Sequence, residues 1–140
     1  MGVFGFPPLA HFLHYHSQNT NMTTPQIAAR LVELCRQGQY EAAQKELYAD
    51  NAISIEPYAT PEFEKETKGL KAILEKGHKF EAMTEKIYAT TISEPLVSGS
   101  TIAFLLSMDM AMKGAKRSTM EEICVYQVKD GKIISEQFFM

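Results

Sequence analysis

The sequence predicts an α+β fold in which three helices precede an antiparallel sheet. Apolar residues recur at helical spacing in the first half of the chain and alternate with a period of two after Phe80. The dipeptide Asp130-Gly131 is a strong signal for a tight hairpin between the last two strands. The chain has 140 residues with no repeat and no internal boundary, so we expect residues 23–140 to form one domain.

The first helix has clear signals at both ends. Thr23 is placed to cap it, and Gln26 completes a capping box with that threonine. Gly38 is expected to end it. Its apolar stripe comprises Ile27, Leu31, Leu34 and Cys35. A second helix is expected over about residues 39–48, and a third over about residues 69–79.

A short strand is expected between the second and third helices. It follows a polar Ala-Asp-Asn turn, covers Ala52 to Glu56 and stops at Pro57, which cannot continue a ladder. Residues 58–68 are polar and are expected to be a surface loop. The later strands are expected at about residues 81–93, 101–112, 118–129 and 132–140. A strongly bent sheet of this kind, wrapped around a long helix, forms a cone with an apolar interior.

Composition argues against several classes of function. The net charge of -3 offers no basic surface for nucleic acid, and no apolar run reaches the ~18 residues of a membrane span. Cys35 and Cys124 have neither CxxC nor zinc spacing, so we expect buried free thiols in a cytoplasmic protein. No phosphate loop, dinucleotide glycine pattern or metal-ligand cluster stands out, so no cofactor or metal is expected.

The first 22 residues differ in composition from the rest. They contain no Asp, Glu, Lys or Arg, but they hold three of the four histidines, His11, His14 and His16. A histidine metal tract is one interpretation, although no carboxylate or cysteine accompanies it. A secretory signal would need a basic n-region and a small-residue cleavage site, and neither is clear. We therefore expect residues 1–22 to be an uncharged, flexible leader.

Strand alternation sorts the side chains of the sheet into two faces. We assign the bulkier face of residues 101–112 to the cone interior. If the aromatic faces of the last two strands are interior as well, Glu122 and Glu136 join Glu56 around one cavity. The interior face of the last strand then carries Ile134, Glu136, Phe138 and Met140. The candidate ligand-binding residues are Leu31, Phe104, Leu106, Met108, Met110, Cys124, Tyr126 and Phe138. Two alternatives stay open. In one, the apolar residues are ordinary core without a ligand-binding role. In the other, Glu122 and Glu136 lie at a solvent-exposed rim or pair with Lys or Arg.

The opposite face of the sheet is also apolar in this assignment. Its apolar residues are Ala103, Leu105, Ala111, Ile123 and Val125. Because such a patch would be exposed on a small domain, we expect a homodimer that forms through this face.

The stretch Leu47-Tyr48-Ala49-Asp50-Asn51-Ala52-Ile53-Ser54-Ile55-Glu56-Pro57 resembles the helix-to-strand junction of the nuclear-transport-factor-2-like superfamily. This superfamily includes ketosteroid isomerases and SnoaL-like polyketide cyclases. Residues 129–139 are similar to the closing hairpin of SnoaL-like members. The resemblance covers about residues 23–140. It implies a cone-shaped, curved antiparallel sheet wrapped around helices, the nuclear-transport-factor-2-like or cystatin-like fold.

The resemblance also implies site residues. In the isomerases an acidic residue stands just before the proline that ends the first strand, so Glu56 inherits the role of proton carrier. The two oxyanion donors of those enzymes fall near Leu31 and Cys124, so neither donor is present. In the SnoaL-like cyclases pocket carboxylates and a histidine carry the chemistry, but His78 is expected to be exposed at a helix end.

The sequence therefore predicts a SnoaL-like protein with an apolar pocket for a small hydrophobic molecule. If it is an enzyme, it is expected to act as an isomerase, cyclase or dehydratase that moves a proton next to a carbonyl group. Glu56 would be the base and Glu122 or Glu136 its partner, because clustered carboxylates in an apolar cone raise each other's pKa. Glu56 itself is expected to be buried without a cationic partner. The alternative is a non-catalytic ligand-binding or protein-interaction module, which the missing donors favour.

Overall fold

A computed structural model describes residues 21–140, which form three helices and seven strands. The helices are α1 (Thr24–Arg36), α2 (Tyr40–Leu47) and α3 (Leu70–Met83). The strands are β1 (Tyr48–Ile55), β2 (Glu66–Lys68), β3 (Thr84–Ile92), β4 (Leu96–Ser98), β5 (Thr101–Met112), β6 (Ser118–Lys129) and β7 (Lys132–Phe139). Most of the expected leader lies outside the described residues. Within the described part, Met22 packs against the core.

All seven strands belong to one curved, unclosed sheet with the order β2-β1-β7-β6-β5-β3, and β4 pairs with β5. The predicted antiparallel meander of β3, β5, β6 and β7 is confirmed, and so is the α+β fold class. The sheet is nevertheless mixed, because β1 joins β7 in parallel. The short strands β2 and β4 lie in segments that were expected to be irregular.

Helix α1 lies against the concave face of the sheet and fixes the core. The predicted capping box is present: the Gln26 backbone N–H donates to the Thr23 hydroxyl (3.3 Å), and the Thr23 backbone N–H donates to the Gln26 side chain (2.9 Å). The apolar stripe of α1 is buried at Ile27, Leu31, Leu34 and Cys35. Each large apolar side chain buried in this way contributes roughly 1.5–3 kcal/mol. None of the helices within residues 21–140 is long and apolar enough to cross a membrane.

The central strands keep the predicted alternation. In β5 every second residue from Ile102 to Met110 is buried, and in β6 Cys124 and Tyr126 are buried on the same side of the sheet. The hairpin between β6 and β7 turns through Asp130 and Gly131, both at positive φ (52° and 75°), as that dipeptide predicts.

Several local predictions were wrong. Met140, which was expected on the interior face of the last strand, lies beyond β7 and is 66% exposed. The Ala-Asp-Asn segment before Ala52 belongs to β1 and does not form a turn. The pairing of β1 with β7 is irregular between Tyr48 and Ile53, and Asp50 and Asn51 are exposed there. Helix α3 continues to Met83. In β7 a register shift opposite Gln127 and Val128 buries Ile133 fully and leaves Ile134 partly exposed. Ala111 is buried as well, so it does not belong to the exposed outer patch.

Candidate functional site

A buried carboxylate between β1 and β7 is the centre of the site. Glu136 is 4% exposed. The Tyr48 hydroxyl donates to its Oε1, and the Ser54 hydroxyl donates to its Oε2 at 2.5 Å. The parallel register of β1 and β7 places Ser54 directly beside Glu136. Two donors on β1 thus satisfy both oxygens of a carboxylate that water does not reach.

Lys76 of α3 extends this network towards Glu56. Its ammonium group donates to the Ser54 hydroxyl at 2.6 Å and to Glu56 Oε2 at 3.2 Å. The Lys76 side chain is 16% exposed and the Glu56 side chain 27%. Lys76 follows the fully buried Ile73 by one helical turn, so its stem runs along the buried side of α3. The prediction that Glu56 has no cationic partner was wrong.

The ammonium group of Lys76 also lies near an aromatic ring of the last strand. Its distance to the centroid of the Phe138 ring is 5.7 Å. Phe138 packs against the core while staying partly exposed. A cation at this distance is attracted by the ring, which helps to hold Lys76 in place.

Glu122 of β6 is the third carboxylate of the site. It lies on the same face of the strand as Cys124, and the Cys124 thiol donates to Glu122 Oε1 at 3.9 Å. Burial, followed by the neighbouring charges of Glu56 and Glu136, raises the pKa of Glu122 to about 7, although Lys76 and the Cys124 thiol act in the opposite direction. Near neutral pH Glu122 is therefore divided between its protonated and ionised forms.

Burial also governs the other groups of the site. The pKa of Glu136 is raised by desolvation, which outweighs the opposing hydrogen bonds from Ser54 and Tyr48. Burial, together with the adjacent Glu136, raises the pKa of Tyr48 far above its ordinary value. Tyr48 thus keeps its proton and acts as a donor. The sequence left open that Glu136 lies at a solvent-exposed rim or pairs with Lys or Arg. Glu136 is instead buried, and within residues 21–140 it forms no direct ion pair.

The structure brings the three candidate catalytic glutamates together and places most candidate ligand-binding residues in the packed core. Leu31, Phe104, Leu106, Met108, Met110, Cys124 and Tyr126 are each 1–6% exposed. The rings of Phe104 and Tyr126, for example, pack with centroids 5.4 Å apart. Phe138 is the member of the set that lies partly open beside Lys76. A ligand-binding role for these residues stays a prediction.

An open groove leads from the protein surface to Lys76. Its volume is about 340 Å³, and it lies between α3 and residues 62–67. Its lining residues are Glu62, Phe63, Glu64, Thr67, Ala72, Glu75, Lys76 and Lys79. A second groove of about 410 Å³ lies between α1 and the segment after β3, and no site residue lines it. The first groove is therefore the one that relates to the chemistry.

Sequence reasoning missed three polar members of the site. Tyr48 stands at the helix-to-strand junction, and Ser54 is the polar residue inside the otherwise apolar run 52–55. The signal for Lys76 is its position three residues after Ile73 on an amphipathic helix. Among residues 21–140, no group of three or more His, Cys, Asp or Glu side chains is arranged to hold a metal ion.

Comparison with known proteins places this geometry in a family. A candidate SnoaL-like polyketide cyclase from Mesorhizobium loti is 29% identical, with a TM-score of 0.79 over 85% of this chain and 100% of that chain. A cystatin-like-fold protein of unknown function from Xanthomonas campestris is 18% identical, with a TM-score of 0.72 over 84% of this chain and 90% of that chain.

A third solved structure has a ketosteroid isomerase-like fold. This protein from Catenulispora acidiphila, in complex with trimethylamine, is 18% identical, with a TM-score of 0.65 over 84% of this chain and 87% of that chain. None of the curated proteins matches the chain. The sequence model of the SnoaL-like domain matches residues 22–140, so the chain belongs to the SnoaL-like domain family.

Proposed function

We propose that this SnoaL-like protein moves a proton on a small hydrophobic carbonyl compound, with Glu122 as the proton carrier. One observation carries the proposal: three carboxylates, an ammonium group and a buried phenol converge on the interior side of the sheet. These groups belong to Glu56, Glu122, Glu136, Lys76 and Tyr48. Proton transfer at the carbon next to a carbonyl is the common step of isomerisation, cyclisation and dehydration.

The three carboxylates are not equivalent. Glu56 is paired with Lys76, and both oxygens of Glu136 accept hydrogen bonds from β1. Glu122 has only a long contact to the Cys124 thiol among the described residues. Its pKa of about 7 lies where a general acid or base is most effective near neutral pH. We therefore assign proton transfer to Glu122. Glu56 anchors the ammonium group of Lys76, and Glu136 has a positioning role.

Family membership supports a small-molecule-binding or cyclase role. The Mesorhizobium loti relative is named as a candidate polyketide cyclase, which fits an activity on carbonyl compounds. The groove beside Lys76 supports the proposal that the ligand is small. Phe138 near Lys76 favours an apolar body, whereas most of the groove lining is polar or charged. We propose this small hydrophobic molecule as the partner of the site.

A non-catalytic binding module is the second candidate function. The positions at which the isomerases carry their oxyanion donors hold Leu31 and Cys124, and each is only 1% exposed. Without a donor for the developing oxyanion, a carboxylate alone accelerates proton abstraction much less. A protein that only binds its ligand would have the same packed interior.

Hydrogen–deuterium exchange separates the two functions. The protein is incubated in D₂O with a panel of small hydrophobic ketones, and NMR follows the loss of the signals of protons next to each carbonyl. We expect accelerated exchange for at least one ketone with the natural sequence and none with Glu122→Gln. Glu121→Gln is the matched control, because Glu121 is adjacent in β6 but exposed. Ketones that raise the unfolding temperature without any accelerated exchange would establish the binding module instead.

A further inference from the structure

We infer that Lys76 is a second catalytic residue of this site, whose ammonium group donates a hydrogen bond to the carbonyl oxygen of the substrate. This inference rests on the proposed function and narrows the substrate to enolisable carbonyl compounds that bind with their oxygen towards α3. Glu122 takes a proton from carbon, and the C–H electron pair moves into the enolate, with its charge on oxygen. Glu122 then returns the proton to the same or a conjugated carbon, and the carbonyl group re-forms.

The hydrogen-bonding capacity of Lys76 is only partly used. An ammonium group has three N–H donors. Within residues 21–140 Lys76 donates to two acceptors, Ser54 Oγ and Glu56 Oε2. The third donor is therefore available to a ligand. Because its two partners fix the position of the nitrogen, this donor has a defined direction before any ligand binds.

The position of Lys76 is held by a chain of contacts that reaches the core. Ser54 accepts from Lys76 and donates to Glu136, while Tyr48 donates to the other oxygen of Glu136. The Ser54 and Glu136 side chains are 0% and 4% exposed. A donor positioned by a buried hydrogen-bond network needs little rearrangement when negative charge develops on a bound oxygen, which is the condition for electrostatic catalysis.

Lys76 is also the group that joins the outside of the protein to the carboxylate cluster. It lines the groove beside α3 and, at the same time, contacts Ser54 and Glu56. A small ligand that enters the groove therefore reaches Lys76, which shares the lining with the exposed Lys79. Lys76 thus offers the oxyanion contact that Leu31 and Cys124 do not provide.

The charge of the site allows an enolate despite its three carboxylates. When Glu122 takes the proton, it loses its negative charge as the substrate oxygen gains one, so the total charge is unchanged. The new charge lies beside the ammonium group of Lys76. Glu56 is the carboxylate that competes for this cation, at 3.2 Å, and Glu136 is separated from it by the Ser54 hydroxyl.

The test uses 4-nitrophenol, whose coloured phenolate mimics an enolate, and nitrobenzene as a neutral ligand of similar shape. Both are titrated into the full chain about one pH unit below the pKa of Glu122, so that Glu122 carries its proton. We expect Lys76→Met to weaken phenolate binding about tenfold or more, with nitrobenzene binding unchanged. Lys71→Met, an exposed lysine of the same helix, should bind both ligands as the natural sequence does.

A double variant keeps the test valid if Lys76→Met does not fold. Lys76→Met combined with Glu56→Gln leaves no unpaired carboxylate at this position, and it should show the same selective loss of the phenolate. Equal phenolate affinity with and without Lys76, or no phenolate binding to the natural sequence, would overturn the inference. The assay needs no turnover, so this result is independent of the exchange experiment on Glu122.

Discussion

The hydroxyl group of Ser54 donates a 2.5 Å hydrogen bond to Glu136, and this contact joins β1 to β7 inside the protein. The same hydroxyl accepts from Lys76 at 2.6 Å. One small side chain thus connects a buried carboxylate with an ammonium group at the groove. The interior polar network and the surface are coupled through Ser54.

Ser54→Ala should destabilise the protein by about 1–3 kcal/mol, because it leaves one oxygen of the buried Glu136 without its donor. Urea unfolding of the two proteins measures the difference. Ser118→Ala, at an exposed position at the start of β6, is the control and should change the unfolding free energy by less than about 0.5 kcal/mol. A Ser54 variant as stable as the control would contradict the role of this hydrogen bond.

The protein should lose stability as the pH rises from about 4.5 to about 7. In this window the raised pKa of Glu122 lets the folded state hold a proton that the unfolded state has released. This loss of unfolding free energy is absent well below the ordinary pKa of 4.5 and is complete above about pH 7. It amounts to about 3 kcal/mol at most. The pKa of Glu136 is also raised, so Glu136 likewise lowers the stability of the folded protein as the pH rises.

Glu122→Gln removes the contribution of Glu122 to this pH dependence. The variant should be more stable than the natural sequence by about 1–3 kcal/mol near pH 8, and the two should be nearly equal near pH 4. Urea midpoints at both pH values provide the measurement, and Glu121→Gln should follow the natural sequence at each. If Glu122→Gln shows no gain near pH 8, Glu122 is ionised in the folded state at neutral pH.

Glu56→Gln should keep the fold and strengthen 4-nitrophenolate binding about threefold or more. The amide oxygen still accepts from Lys76, but the negative charge that competes with the phenolate for the ammonium group is gone. Absorbance titration measures the affinity, and Glu81→Gln at an exposed position of α3 serves as the control. Weaker phenolate binding in Glu56→Gln would show that the charge of Glu56, rather than Ser54, holds Lys76 in place.

We expect the protein to form a homodimer through the outer face of the sheet. Leu105, Ile123 and Phe139 are directly opposite one another on three adjacent strands and are 41%, 49% and 47% exposed. This apolar row favours a second copy of the chain as its partner. Light scattering should give twice the chain mass for the natural sequence and the chain mass for Ile123→Lys.

Ile87→Lys is the control for the dimer. Ile87 is 44% exposed but lies on β3, away from this row, so the variant should remain a dimer. A monomeric natural sequence would contradict the prediction.

Strand alternation was enough to predict the central part of the fold. The bounds of β5 and β6 agree with the prediction, because long strands with one buried face repeat their pattern many times. The same alternation placed Glu122 and Glu136 on the interior side of the sheet, and both are among the groups of the site.

Local patterns could not predict the remaining parts of the site. The parallel pairing of β1 with β7 joins segments at opposite ends of the described chain, and neither segment carries a signal of its partner. A lysine on an amphipathic helix is typical of a solvated position, so the inward direction of Lys76 depends on β1 being beside it. The buried Ile133 depends in turn on a register shift opposite β6.

The pairing of β1 with β7 has a consequence for how the protein folds. Ser54 and Glu136 are 82 residues apart in sequence, and Tyr48 and Glu136 are 88 apart. Long-range contacts of this kind carry a large loop-closure entropy and form slowly, whereas the β6–β7 hairpin needs only local contacts. An intermediate that contains the hairpin alone lacks the site that we propose. Binding of the proposed ligand should therefore recover later during refolding than the secondary structure does.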